Sequence, residues 1–127
     1  MSKYHNRKVA SGGILHDSRK EARRWEQLLL LERAGHITDL RRQVKYTLIP
    51  AQGETYERYS TTTGKRLKDG TRTLERECAY IADFVYKRDG ELVVEDVKGY
   101  RDGTAYDVFV IKRKLMLYIH GIHVQTI

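Results

Sequence analysis

Two short stretches concentrate the residue types that handle phosphate and metal ions: Ile81-Ala82-Asp83-Phe84 and Val93-Val94-Glu95-Asp96-Val97-Lys98-Gly99. In a strand, side chains alternate between faces, so Asp96 and Lys98 point the same way and Val97 the other. Asp83 lies inside an apolar run, where an unpaired charge is costly. Arg88-Asp89-Gly90 reads as a tight hairpin turn between the two stretches. Counting outward from it sets Asp83 directly opposite Asp96, on one side of the sheet. Like charges facing each other are unfavourable without a cation between them. Two carboxylates with no clustered His or Cys favour magnesium, with manganese as a substitute, over zinc. Such an ion polarises a phosphodiester and activates a bound water, and the adjacent Lys98 can orient that water or stabilise phosphate charge. Glu95, on the other face, is the weaker candidate. The alternative for Asp96 and Lys98 alone is a surface ion pair of little consequence.

The elements that must position these residues follow from pattern and punctuation. Residues 18–34 read as a helix, with Ser18-Arg19-Lys20-Glu21 at capping-box spacing and Gly35 as the C-terminal stop. Glu21, Ala22, Trp25, Leu28, Leu29 and Glu32 share its packing face, while Arg19, Lys20 and Arg23 lie elsewhere. Glu21 has two readings, as a cap on the Ser18 amide or as an inward carboxylate beside the metal. A strand is expected from about Arg42 to Ile49, stopped by Pro50. Gln43, near its start, is either a phosphate- or water-binding amide or a plain strand-edge residue. Residues 51–74 read as a loop or exposed hairpin with turn signals at Gly64 and Asp69-Gly70. Residues 75–86 form a strand with Ala79, Ile81, Asp83 and Val85 on one face and Cys78, Tyr80, Ala82, Phe84 and Tyr86 on the other. It is expected to be central and covered on both sides. Residues 91–98 return antiparallel. Residues 104–120 form a well-buried helix capped by Thr104, and residues 122–127 a last strand, parallel to the one before it. The result is a single α/β domain over residues 1–127: a small mixed sheet flanked by helices.

Composition narrows the partners. The chain has 127 residues and carries 24 Lys+Arg against 17 Asp+Glu, a formal net charge of +7. That field favours an anionic partner, nucleic acid first and a membrane surface second. Candidate phosphate contacts are Lys3, Arg7 and Lys8 in a basic arm (residues 1–13), Arg19, Lys20 and Arg23 on the first helix, Lys65, Arg66, Lys68 and Arg72 in the insertion, and Lys112 and Lys114 on the second helix. The single cysteine, Cys78, leaves no internal disulfide or cysteine-based zinc site and fits a reducing, cytosolic setting. No apolar run of about 18 residues suggests a membrane span, and the basic N-terminal residues are unlike a secretory signal. No glycine-rich phosphate loop points to phosphotransfer.

Asp83, then Asp96-Val97-Lys98 at the end of the next strand, with an upstream helical Glu21, resembles the PD-(D/E)XK nuclease superfamily; Ala82 stands where the motif has its proline. Through KYHNRKV, DSRKEARRWEQLLLLERAG, Gln43 to Pro50, YIADFVY and VVEDVKG, nearly the whole chain looks like a family of small phage and prophage proteins similar to phage endonucleases. Residues 51–74 show no such resemblance. The resemblance implies a restriction-endonuclease-like core in which Asp83, Asp96 and the Val97 carbonyl hold the metal. Lys98 would be the catalytic lysine, Glu21 a ligand direct or through water, and Gln43 an accessory site residue. By analogy it implies a magnesium-dependent DNA endonuclease of the bacterial host cytoplasm, active on branched, Holliday-junction-like DNA as a homodimer. A DNA-binding module that keeps the fold without cleaving is the alternative, and an RNase is less favoured.

Overall fold

The structure is a computed structural model that describes residues 9–11, 14–16, 18–99 and 101–127. Lys3, Arg7 and Lys8 lie outside the described residues. Val9–Ser11 (β1) and Ile14–His16 (β2) form a small antiparallel pair. Helix α1 (Arg19–Arg33) begins as expected, with the Ser18 hydroxyl accepting a hydrogen bond from the Glu21 amide at 3.1 Å. Gly35, in the left-handed region at φ 81°, ends it.

The remaining elements are β3 (Thr38–Ile49), β4 (Gln52–Tyr59), β5 (Arg66–Glu75), β6 (Cys78–Arg88), β7 (Glu91–Asp96), α2 (Thr104–Leu115), a π-helical turn (Met116–His120) and β8 (Gln125–Thr126). Among the described residues the main sheet has the order β3-β6-β7-β8, and β8 runs parallel to β7. The turn between β6 and β7 places Asp89 at φ 52° and Gly90 at φ 79°, the backbone that an Asp-Gly hairpin favours. It sets the pairing that ends in Phe84 opposite Glu95, one step short of Asp83 and Asp96.

Two apolar layers hold the sheet. On the α1 side Trp25, Leu28, Ile37, Phe84 and Tyr86 pack together, with the Trp25 and Phe84 rings stacked at 5.7 Å. On the α2 side Leu48, Tyr80, Ala82, Val85, Val94, Phe109, Met116 and Val124 form the second cluster. These memberships correct the expected alternation along β6. Tyr80 and Ala82 face α2, whereas Phe84 and Tyr86 face α1 and Val85 has joined the α2 side. The facing therefore switches at Asp83. The same switch occurs in β3, where Leu40 packs on the α1 side but Val44 and Leu48 on the α2 side. Gln43 lies at that break with φ 53°, a left-handed conformation uncommon for a residue with a Cβ. The strand expected from Arg42 starts at Thr38, and β6 is covered on both sides only around Phe84–Tyr86, since Ile81 is exposed.

Three further expectations change. Asp69-Gly70 is not a turn but mid-strand in β5. The Tyr56 ring crosses Gly70 so closely that a Cβ there would lie 2.4 Å from it. The β4–β5 ribbon is exposed almost throughout. The second helix is capped by Gly103 rather than Thr104, and it is α-helical only to Leu115. It is also not well buried: Phe109 and Met116 are, but Val108, Ile111, Leu117, Tyr118 and Ile119 are exposed. A ring of apolar residues gives no indication of which side meets the sheet. No helix among the described residues is long and apolar enough to cross a membrane.

Candidate functional site

The switch in facing at Gln43 and Asp83 lets groups from both sides of the sheet meet. Glu21 comes from the first turn of α1, placed there by the Ser18 cap, and is buried at 5% exposure. Asp96 ends β7 at 4% exposure. Asp83 lies between them. Its Oδ2 accepts a hydrogen bond from the Val97 amide at 2.8 Å. The Gln43 amide bridges the other side, donating to Glu21 Oε1 at 3.3 Å and to Asp83 Oδ1 at 3.5 Å. Gln43 thus stands at the cluster, and the carboxylate of Glu21 faces into it.

Lys98 closes the far side. Its Nζ lies 2.6 Å from Asp96 Oδ2 and 4.0 Å over the centre of the Phe109 ring. Lys20 Nζ donates to the Lys98 carbonyl at 2.8 Å, so one of the basic residues assigned to solvent or ligand stands beside the site. The chain turns out of β7 after Asp96, and Ile127 holds it there. The Ile127 amide donates to the Asp96 carbonyl at 2.9 Å, and the Lys98 amide donates to the Ile127 carbonyl at 3.1 Å.

The electrostatics are dominated by negative charge. Burial first, and the Asp96 carboxylate second, push the Asp83 carboxyl up to about 7, with Glu21 adding to the effect and the Val97 amide opposing it. Burial, followed by Asp96, also raises the Tyr80 phenol, which is part of the α2-side layer under the site. Glu21, Asp83 and Asp96 crowd together with Lys98 as the ammonium in contact. Hard carboxylate oxygens and the mutual repulsion of Asp83 and Asp96 fit a magnesium-type ion. Among the described residues no three His, Cys, Asp or Glu side chains converge closely enough to ligate an ion by themselves. Magnesium is ordinarily held by one or two carboxylates, with waters and phosphate completing its shell.

Glu95 faces away from this cluster. Arg24 grips it with two hydrogen bonds, Nε to Oε1 at 2.8 Å and Nη2 to Oε2 at 2.6 Å, and the Tyr86 hydroxyl donates to Oε2 as well. Of the other basic positions, Arg19, Arg23, Lys65, Lys68 and Lys114 are exposed and Lys112 is half-buried. Arg66 is engaged by Asp69 at 2.7 Å and Arg72 by Glu54 at 2.6 Å, so two of the four cations assigned to phosphate in the insertion already have acidic partners. Tyr80, Phe109 and Ile127 support the site without having been singled out. Tyr80 and Phe109 are ordinary members of apolar patterns, and the Ile127 contact is made by backbone alone, so nothing in residue type marks them.

Fold and site together define a mixed α/β domain, a small sheet with two helices, bearing a buried carboxylate cluster and a lysine at the end of a strand. The chain belongs to the family described as "Protein of unknown function (DUF1064)", whose model matches residues 1–123. No curated protein and no solved structure matches it.

Proposed function

We propose that this chain is a divalent-metal-dependent DNA endonuclease of the PD-(D/E)XK type, with a restriction-endonuclease-like core. The observation that carries the reading is the crowding of Asp83, Asp96 and Glu21 beside Lys98 in a chain of net charge +7. A protein built only for stability gains nothing from buried like charges. In this reading Asp83 Oδ1, Asp96 and the Val97 carbonyl hold magnesium or manganese, and Glu21 takes part directly or through water. Gln43 orients the Glu21 and Asp83 carboxylates. Lys98 stabilises phosphate charge or orients the attacking water, and Phe109 and Asp96 hold its ammonium in place. The metal supplies a polarised phosphate and an activated water. Basic residues around the site, Lys20 foremost through its contact with the Lys98 carbonyl, add affinity for the backbone without reading bases.

Branched DNA is the substrate the superfamily analogy favours. A panel of linear, nicked, flap, splayed and four-way-junction DNA, each incubated with magnesium or manganese, tests both parts. We expect metal-dependent product that is strongest on branched substrates, and a loss of at least ~100-fold in Asp96→Ala and Lys98→Ala. Full activity in either variant removes the site assignment, and equal cutting of all substrates removes the structure preference. The competing reading is a DNA-binding module that does not cleave. It draws on the 2.6 Å Lys98–Asp96 ion pair, which neutralises Asp96 without a metal. Salt-sensitive binding with no product at any metal concentration would establish it.

A further inference from the structure

A buried donor and a buried acceptor stand close together under the site, and neither is satisfied. Tyr80 is 4% exposed, and its hydroxyl makes no hydrogen bond among the described residues. Asp96 is buried to the same degree. Its Oδ2 lies 2.6 Å from Lys98 Nζ, an ion-pair contact without the alignment of a hydrogen bond. After burial, the charge of Asp96 and then its capacity to hydrogen-bond are what raise the Tyr80 phenol, with Asp83 behind them. The hydroxyl therefore stands beside Asp96 but stops short of a formed bond. A buried hydroxyl without a partner costs stability that a phenylalanine of the same shape would avoid. Packing explains the ring, which meets Phe109 at 6.3 Å between centres. It does not explain the oxygen. Phe109 also carries Lys98 Nζ 4.0 Å over its centre. Tyr80, Asp96, Lys98 and Phe109 thus close a loop of contacts on the α2 side.

We propose that Tyr80 is a positioning residue for the cation site: its hydroxyl donates to Asp96 Oδ2 once the Lys98 ammonium leaves that oxygen. This role rests on the cation reading of the carboxylate cluster and adds a residue to it. Lys98 is the cation on Asp96 in the present arrangement. Its ammonium is repelled when the carboxylate takes up a divalent ion, and the chemistry assigned to Lys98 needs it at phosphate or at the attacking water. Its departure leaves a buried carboxylate oxygen bare, which is unfavourable without a new donor. Tyr80 is suited to replace it. Its ring is fixed in the α2-side layer, so the hydroxyl cannot follow Lys98 away. The raised phenol stays protonated at neutral pH, so the donor is always present. Being neutral, it orients the carboxylate without competing with the ion for its charge. Ligating carboxylates are ordinarily held by such second partners.

Titration of manganese by calorimetry and thermal melting of the metal-free chain test this, in wild type, Tyr80→Phe, Lys98→Met and the double variant. Tyr80→Phe keeps the ring and removes only the hydroxyl. It should weaken manganese binding by about tenfold or more. Without metal it should leave Tm unchanged or raised, since the oxygen removed has no partner. In Lys98→Met the Asp96 oxygen is bare and Tyr80 already donates to it, so adding Tyr80→Phe there should lower Tm. A Tyr80 that only fills the layer would change neither the affinity nor the coupling between the two substitutions. Equal manganese affinity in wild type and Tyr80→Phe overturns the proposal, as does the same Tm change in both backgrounds. A wild type without saturable manganese binding overturns the cation reading on which the role rests. The metal-free comparison needs no ion, so the two failures are distinct.

Discussion

Glu95 and Asp96 are neighbours in β7, both buried, and their surroundings are electrostatically opposite. Glu95, 2% exposed, is matched by the bidentate Arg24 guanidinium and the Tyr86 hydroxyl, so its charge ties α1 to the sheet. Asp96 faces the other way, into a cluster where Asp83 and Glu21 add negative charge and Lys98 is the ammonium in contact. Acidic residues are equally inward at both sites, yet Glu95 meets a bidentate guanidinium while Asp96 raises the carboxyl of a second buried aspartate, Asp83. The difference separates a carboxylate that holds the fold together from two that the fold holds against each other. Burial alone does not mark a functional residue; burial beside a like charge is the sharper mark.

The largest effect expected from this contrast is on stability. Arg24→Ala leaves Glu95 buried without its partner and should destabilise the fold by about 3–5 kcal/mol. On a chain of this size that lowers Tm by about 10 °C or more. Asp83→Asn, by contrast, removes charge from the crowded cluster while its amide oxygen still accepts from the Val97 amide. Chemical denaturation of the metal-free protein at pH 8 should find this variant at least as stable as wild type. If both variants lose stability equally, the two carboxylate environments are not different in kind.

A smaller effect is expected from pH. The Asp83 carboxyl, ordinarily at 3.8, is pushed up to about 7. Between those values the folded chain keeps a proton that the unfolded chain releases. Stability without divalent metal should therefore fall as pH rises through that window and level off above it. Asp83→Asn should remove the slope, and saturating magnesium should flatten it by supplying the missing positive charge. A slope that persists in Asp83→Asn would assign the titration to another group.

Much of this arrangement was legible in residue order. The Ser18 cap, the Asp89-Gly90 turn and the parallel return of the last strand rest on local chemistry that few other conformations satisfy. The turn alone fixes the β6–β7 register, and with it the approach of Asp83 to Asp96. The switch in facing was not legible, because strict alternation assumes an unbroken strand and nothing about glutamine announces a left-handed residue at Gln43. That switch brings Glu21 and Gln43 to Asp83. The exposure of Val108 and Ile111 on α2 was hidden for a different reason. Hydrophobic periodicity reports that a side chain is apolar, not that it is covered. Residues 51–74 were legible as an insertion, but the Arg72–Glu54 ion pair depends on strand register, which Asp69-Gly70 misled by resembling a turn.

The account rests on the claim that the carboxylates around Asp83 and Asp96 form a divalent-cation site. Isothermal titration of manganese into the purified chain, beside Asp83→Asn/Asp96→Asn and with Glu95 left intact in both, tests it most directly. Saturable binding by wild type that disappears in the double variant, while the variant keeps its fold by circular dichroism, is the expected result. Equal heats from the two proteins would contradict it.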